Sequence, residues 1–192
     1  MSARKTLAML FNVLTTVVFA CAVCFTVVVV ATTLVSGRSE ASLLGWKPYI
    51  VLSDSMQSEF EVGDIAVSRA VDPAALQPGD IVTFQDPEIP GRILIKRCIA
   101  VGGQTVDIND EDGLVYVDGV ALAEPYTDGR PTYTLPSAVT YPYTVPDGMM
   151  WMMGDNRTNS QDSRFFGAIP VSSVTGRGAL VYWPLNDFSL LD

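Results

Sequence analysis

Residues 92–101 read RILIKRCIAV, a run in which aliphatic side chains outnumber polar ones. Short apolar runs bounded by turn residues predict β-strands. Six further runs share these features: YIVL (49–52), DIAVSRAV (64–71), DIVTFQ (80–85), TVDI (105–108), LVYVDG (114–119) and ALVYW (179–183). Turn formers such as Pro78-Gly79-Asp80 and Pro146-Asp147-Gly148 separate them. Because the chain from about residue 39 onward has no convincing helical period, the sequence predicts a mainly β domain.

Two regions of this domain have their own character. LVYVDGVAL predicts a hairpin around Asp118-Gly119. Residues 107–150 are less apolar and richer in Pro, Asp and Thr, which predicts an insert or a small second β subdomain.

The closing segment 180–191 is apolar and aromatic but too short to span a membrane. It is interpreted as a buried terminal strand at 180–183, or as a segment that rests on the membrane surface.

The N-terminal part of the chain predicts a membrane anchor. Residues 6–37 contain no charged side chain and are longer than the roughly 20 residues that cross a bilayer core. A cleaved signal peptide is the alternative, but its apolar core is only about 7–15 residues long. All 21 acidic residues follow this segment. We therefore expect a cytoplasmic tail at 1–5, one transmembrane helix at 6–37 and an extracytoplasmic domain at 38–192, a single-pass topology of the plasma membrane.

Composition excludes several classes of function. The formal net charge of −9 argues against nucleic-acid binding, which requires a basic surface. Histidine is absent, so a Ser-His-Asp triad, a Cys-His dyad and a His-ligated metal site are excluded. Cys21 and Cys24 lie inside the predicted anchor and Cys98 has no evident partner, so neither a zinc site nor a disulfide framework is predicted.

Lys96 stands in the middle of the 92–101 run. By strand alternation its side chain shares a face with Leu94, Cys98 and Ala100. Burial among such neighbours lowers the pKa of an ammonium group, and a neutral lysine is able to act as a general base. For Lys96 alone, a lysine that reaches solvent or pairs with a carboxylate is the simpler interpretation.

Two polar blocks accompany this lysine. VLSDSMQSEFEVGD (51–64) leaves an apolar strand and enters a serine-rich turn, and without histidine a serine nucleophile needs another base, such as lysine. A capped turn is the structural alternative for these serines. GDNRTNSQDSRFFG (154–167) holds two acids and two arginines, which are able to form bidentate pairs that stiffen a loop.

Taken together, the serine block, the lysine 41 positions after Ser55 and the Gly154–Gly167 block resemble the type I signal peptidases of the bacterial kind. These are membrane-anchored Ser-Lys endopeptidases with an antiparallel-sheet domain. The resemblance implies Ser55 as nucleophile, Lys96 as general base, and Ser53 with the Ser55 N–H as the oxyanion hole. It implies that Ser160 orients the lysine amine and that Asp162 and Arg164 brace the site, with a loop shaped by Asp155, Asn156 and Arg157.

The resemblance also implies a substrate and partners. The extended end of a signal peptide would pair with strand edges and be cut after small residues such as Ala-x-Ala, with no metal or cofactor. The expected partners are preproteins, the lipid bilayer and the secretion translocon. The residues expected to bind substrate are Tyr49, Ile50, Val51, Leu52, Ile93, Leu94 and Ile95.

The chain departs from the family pattern near the serine. Gln57-Ser58-Glu59 stands where Pro-Thr is usual, Asp54 replaces a common glycine, and Ala100-Val-Gly-Gly-Gln104 differs after the lysine. Two alternatives therefore stay open: a Ser-Lys peptidase that cuts itself or one dedicated partner, and a non-catalytic membrane-tethered β module that binds a secreted partner.

Overall fold

The computed structural model describes residues 13–21, 23–24 and 45–191. Residues 13–21 and 23–24 are helical, and their side chains are exposed. Among the described residues, no helix is both long enough and apolar enough to cross a membrane. The expected tail at 1–5 and most of the expected span at 6–37 lie outside the described residues.

Short strands make up most of the domain that follows. They are β1 (Trp46–Ile50), β2 (Ile65–Arg69), β3 (Ile81–Gln85), β4 (Ile93–Val101), β5 (Thr105–Asn109), β6 (Leu114–Val117), β7 (Val120–Ala121), β8 (Tyr143–Thr144), β9 (Met149–Met153), β10 (Ile169–Pro170), β11 (Val174–Trp183) and β12 (Ser189–Leu190). A short α-helix, α1 (Ser163–Phe166), follows β9, and 3₁₀ turns occur at Pro73–Ala75, Pro125–Thr127, Val171–Ser173 and Leu185–Asp187.

The strands form two sheets in the described part of the chain. The larger sheet has the order β1-β2-β11-β3-β4-β9-β10, with β12 beside β11, and its pairings from β2 to β10 are antiparallel. The smaller sheet has the order β7-β6-β5-β8 and lies between Thr105 and Thr144 in sequence. The prediction of a mainly β domain of antiparallel sheets is thereby confirmed.

Buried apolar side chains support both sheets. Val106, Val115 and Val117 of the smaller sheet pack in one cluster with Ile99 and Trp151 of the larger one. A register shift between Cys98 and Ala100 breaks the alternation of β4. As a result, Ala100 joins this cluster, whereas Cys98 and Leu94 pack in a separate one.

Local predictions succeeded where turn chemistry was strong. The Asp118-Gly119 hairpin forms, with Val117 opposite Val120 and positive φ at both turn residues, as a type I′ turn requires.

Two strands differ from the prediction. The strand expected at 49–52 ends at Ile50, because Val51 exchanges backbone hydrogen bonds with Gly63 and Asp64 as the chain turns. Strand β9 was not predicted, since Met150 to Met153 are all buried and show no alternation.

The closing segment begins as the predicted strand, but only part of residues 180–183 is buried, because Tyr182 and Trp183 are exposed. Residues 180–183 end strand β11, and Val181 is buried. Past that point four large apolar side chains are more than half exposed: Trp183, Leu185, Phe188 and Leu190.

Candidate active site

Ser55 and Lys96 are in direct contact. The Lys96 amine donates to Ser55 Oγ at 2.6 Å and to the carbonyl of Ile95 at 2.9 Å. Both side chains are buried, Ser55 at 6% and Lys96 at 3% exposure. Strand β4 carries the lysine, and the serine lies in the turn after β1, where its carbonyl accepts from the Asn156 N–H. A nucleophile and a base are thus placed within direct proton-transfer distance.

Burial changes the protonation of the lysine. Removal from water lowers the pKa of Lys96 from 10.5 to about 8, against the opposing charges of Asp162 and Asp155 and with help from Arg92. A substantial neutral fraction of Lys96 is therefore accessible at mildly alkaline pH. The acidic departure between the two serines, Asp54, has its own partner, since its carboxylate accepts a hydrogen bond from the Asn159 side chain at 2.8 Å.

Ser53 lies beside the nucleophile. Its hydroxyl donates to Ser55 Oγ at 3.3 Å, a long contact for two hydroxyls. The side chain is exposed at the mouth of the site.

The block from Gly154 to Gly167 forms a rigid polar loop behind the dyad. Arg164 donates twice to Asp162, at 2.9 Å each, and the Gly154 N–H donates to the same carboxylate. Both side chains of this pair are almost completely buried, at 0% and 1% exposure. A bidentate buried pair of this kind fixes the loop in one geometry.

The other residues predicted to shape this loop form hydrogen bonds to several segments around the Asp162–Arg164 pair. Asp155 accepts two hydrogen bonds from Arg97, at 2.9 and 2.7 Å. Arg157 donates to Glu124 and, at 3.0 Å, to the Gly154 carbonyl. The Asn156 side chain donates to the Asp54 carbonyl, which ties the loop to the serine turn.

Ser160 departs from its expected contact. The resemblance implies a hydrogen bond to the lysine amine, but among the described residues its buried Oγ has no hydrogen-bond partner. The amine is turned instead toward Ser55 Oγ and the Ile95 carbonyl. Ser160 packs against Gly154, where an added Cβ would lie 2.3 Å from its Oγ and 2.5 Å from the Ser55 carbonyl.

Substituting Gly154→Ala is expected to impair both activity and stability. The new methyl would overlap the backbone of the nucleophile, and overpacking of this kind costs about 1–3 kcal/mol. Displacement of Ser55 should lower kcat by about 10²-fold. The measurements are peptide-bond hydrolysis and chemical unfolding. Gly178→Ala is the control, because its Cβ would meet only side-chain carbons at 3.1 Å or more. Equal activity of the two variants would contradict the expectation.

An open cleft of about 320 Å³ leads to the dyad. The side of β4 that faces away from β3 is paired with β9 only from Arg97 onward. Within the described residues this leaves Ile93–Ile95 with a free edge beside the cleft. All seven residues expected to bind substrate line this space: Tyr49, Ile50, Val51, Leu52, Ile93, Leu94 and Ile95.

Several residues that surround the dyad carry no signal in the sequence. Arg97 was visible only as the neighbour of Lys96, yet it connects Glu59, Asp155 and the Gly79 carbonyl. Glu124 and Tyr126 come from the segment between β7 and β8, far along the chain. No local pattern marks such contacts, and an alignment of covarying positions is the signal that would find them.

Comparisons with known proteins agree on one family. The family described as signal peptidase, peptidase S26, matches residues 7–183. A probable signal peptidase I-1 from Synechocystis is 38% identical over 154 residues, which cover 76% of this chain and 75% of that protein. A signal peptidase I from Mycobacterium tuberculosis is 33% identical over 192 residues, which cover 72% of this chain and 65% of that protein. A crystal structure of a signal peptidase I from Enterococcus faecalis is 32% identical, with a TM-score of 0.48, and the match covers 56% of this chain and 98% of that one.

Proposed function

The chain belongs to the signal peptidase family, peptidase S26, and on that basis we propose that Ser55 and Lys96 are the catalytic dyad with which it removes signal peptides. It is a serine peptidase of the signal peptidase I type. The single observation that carries the assignment of the dyad is the 2.6 Å contact between the Lys96 amine and Ser55 Oγ, buried beside an open cleft.

The proposed reaction begins with proton transfer. Neutral Lys96 accepts the Ser55 proton, and Oγ attacks the scissile carbonyl to form a tetrahedral intermediate. Collapse of this intermediate breaks the peptide bond, and protonated Lys96 gives its proton to the leaving amine. The Lys96 amine, now neutral again, then deprotonates a water molecule. This water attacks the acyl-enzyme, and its proton returns through Lys96 to Ser55 Oγ as the second product leaves.

The oxyanion is assigned to two donors, the Ser55 N–H and the Ser53 hydroxyl. Both residues line the cleft, and one such donor contributes about 3–4 kcal/mol to transition-state stabilisation. Asp162 with Arg164, and the loop of Asp155, Asn156 and Arg157, hold this arrangement rigid. Ser160 is assigned a packing role beside Gly154, not a hydrogen bond to the lysine.

The substrate is assigned to the cleft as an added strand. The free edge of Ile93–Ile95 offers backbone groups to an extended peptide, and Val51 and Leu94 contribute apolar side chains to the walls of the cleft. Walls of this kind suit small side chains such as alanine, so cleavage after Ala-x-Ala is proposed.

Membrane attachment is part of the proposal. Residues 1–5 are assigned to the cytoplasm, 6–37 to a single span, and 38–192 to the extracytoplasmic side, where the lipid bilayer and the translocon are neighbours. The exposed Trp183, Leu185 and Phe188 suit the bilayer interface, where aromatic side chains are favoured. Substrates anchored by their own signal peptides would reach the cleft at this interface.

The test is cleavage of a preprotein whose signal peptide ends in Ala-x-Ala, in detergent at about pH 8. Wild type is compared with Ser55→Ala, and the product is sequenced at its new N-terminus. Cleavage after the alanine by wild type alone supports the proposal. Cleavage by both contradicts the nucleophile assignment, and cleavage by neither favours a dedicated substrate or the non-catalytic module.

Activity is expected to rise with pH. The neutral form of Lys96 is the base, and with a pKa of about 8 its share grows from about 1% at pH 6 to about half at pH 8. The ratio kcat/KM, which reports the free enzyme, should therefore increase about fiftyfold over this interval and level off above pH 9. Initial rates on a substrate without titrating groups near the cleaved bond measure this. A flat profile between pH 6 and 9 would count against the lysine as base.

A further inference from the structure

A loop of the smaller sheet contacts the loop that carries the nucleophile. The serine loop is residues 53–60, which include Ser55, and the insert loop is residues 122–132, between β7 and β8. Ser58 Oγ donates to the Tyr126 carbonyl at 2.6 Å, and Arg130 donates to the Gln57 carbonyl at 3.5 Å. The two loops are therefore joined directly by two hydrogen bonds, each from a side chain of one loop to a backbone carbonyl of the other.

The side chain of Tyr126 makes a second connection, through Arg97. Its ring lies over the guanidinium of Arg97, 4.1 Å from the ring centroid, a cation–π contact. Arg97 in turn donates to Glu59 of the serine loop at 3.1 Å and to Asp155 at 2.7 Å. The ring of Tyr126 therefore covers the Arg97 guanidinium, which joins the serine loop to the polar loop after β9.

A third connection reaches the same polar loop from its other end. The Tyr126 hydroxyl donates to Glu124 at 3.0 Å, and Glu124 pairs with the buried Arg157 at 2.5 Å. Arg157 donates to the carbonyl of Gly154, which packs against Ser55. Both routes from Tyr126 thus reach the loops that surround the nucleophile: the Arg97 route at the carboxylates of Glu59 and Asp155, the Arg157 route at the Gly154 carbonyl.

The serine loop needs such support, because one of its residues has an unfavourable conformation. Ser58 has a φ of 111°, in the region that favours glycine. A non-glycine residue there costs about 1–3 kcal/mol and persists only when its surroundings hold it. The hydrogen bond from Ser58 to the insert loop supplies one such restraint.

We propose that Tyr126 is a positioning residue: the insert loop clamps the serine loop through Ser58 and through the ring of Tyr126 on Arg97, and thereby fixes Ser55 relative to Lys96. The inference rests on the proposed function of the Ser55–Lys96 dyad. The described lining of the substrate cleft includes no residue of the insert loop. Loss of the clamp should therefore reduce the chemical step and leave substrate binding unchanged.

The first experiment compares three variants of the full chain in detergent. Tyr126→Ala removes the ring, Tyr126→Phe keeps the ring without its hydroxyl, and Tyr116→Ala removes a tyrosine of the smaller sheet whose hydroxyl bonds to Asp112. Misplacement of a reacting group by about 1 Å costs about 10²-fold, so kcat of Tyr126→Ala should fall 10- to 100-fold. KM should stay within about twofold, and the phenylalanine variant should recover most of the rate.

Local hydrogen exchange separates positioning from general loss of stability. The amides of Glu59 and Phe60 both donate to the Met56 carbonyl inside the serine loop. In Tyr126→Ala their exchange should quicken about tenfold or more, whereas strand β11 should exchange as in wild type. Equal quickening throughout the domain, or an equal loss of kcat in Tyr116→Ala, would overturn the proposal.

A second pair of variants keeps the proposal testable if Tyr126→Ala does not fold. Ser58→Ala and Ser58→Gly both remove the bond to Tyr126, and the glycine also relieves the positive φ. Loss of kcat in both variants supports the clamp, while full activity of both overturns it. If wild type and Ser55→Ala cleave equally, the proposed function fails and the inference fails with it; if only the Tyr126 and Ser58 variants match wild type, the inference fails alone.

Discussion

Replacing Lys96 with methionine is expected to lower kcat by about 10⁴-fold or more, because the variant retains the serine and the cleft but has no base. Methionine fills nearly the same volume and has no group that accepts a proton. The serine hydroxyl would then have to lose its proton to water, a far weaker base than a neutral amine. Single-turnover cleavage at pH 8 measures the effect on the chemical step.

The same substitution should not weaken the fold at pH 7. Because the folded-state pKa of Lys96, about 8, lies below its ordinary value of 10.5, the charged amine opposes folding by about 3 kcal/mol at pH 7. This opposition is greatest below pH 8 and disappears as pH rises through 10.5. Lys96→Met should therefore be at least as stable as wild type in chemical unfolding at pH 7, with an advantage that shrinks at pH 9.5.

Two companion variants sharpen the result. Lys96→Arg keeps the charge but is unable to deprotonate, so it should be as inactive as the methionine variant. Ser55→Ala combined with Lys96→Met should lose no more than either alone, since the two groups act as one unit. Substantial cleavage by Lys96→Arg would exclude the lysine as general base.

The strand that carries Lys96 could be predicted from local chemistry, whereas the Ser55–Lys96 dyad came from the resemblance of three blocks taken together. Lys96 alone also suited a lysine that reaches solvent, and the absence of histidine left lysine as the base only for a chain in which a serine is the nucleophile. The Asp118-Gly119 hairpin was predictable from two residues, since few residue pairs adopt a type I′ turn. A short stretch of sequence thus predicts a strand or a turn, and a site made of distant residues needs the pattern of the whole chain.

The surroundings of the dyad could not be predicted, because they depend on contacts between distant segments. Tyr126 stacks on Arg97 across 29 positions of sequence, and Arg157 pairs with Glu124 across 33. Ser160 shows a different difficulty. The resemblance implied a hydrogen bond between Ser160 and the Lys96 amine, which requires one particular rotamer of the lysine. The amine is turned instead toward the Ile95 carbonyl, and Ser160 Oγ has no partner among the described residues. Side-chain orientation of this kind is set by packing and not by sequence pattern.

Ser53→Ala is expected to lower kcat by about 10²- to 10³-fold, the usual effect of losing one oxyanion donor. In the free enzyme the Ser53 hydroxyl contacts Ser55 Oγ at 3.3 Å, a distance at which little stabilisation is lost when it turns to a developing oxyanion. The donor thus acts mainly in the transition state, and KM should change by no more than about twofold.

The matched variants decide whether the hydroxyl itself is responsible. Ser53→Thr keeps a hydroxyl on the same carbon and should recover most of the rate, whereas Ser189→Ala removes an exposed serine far along the chain and should leave kcat unchanged. The pH midpoint of Ser53→Ala should remain near 8, because the burial that lowers the pKa of Lys96 is not altered. A rate for Ser53→Ala within about threefold of wild type would mean that the Ser55 N–H supplies the oxyanion stabilisation without help from this side chain.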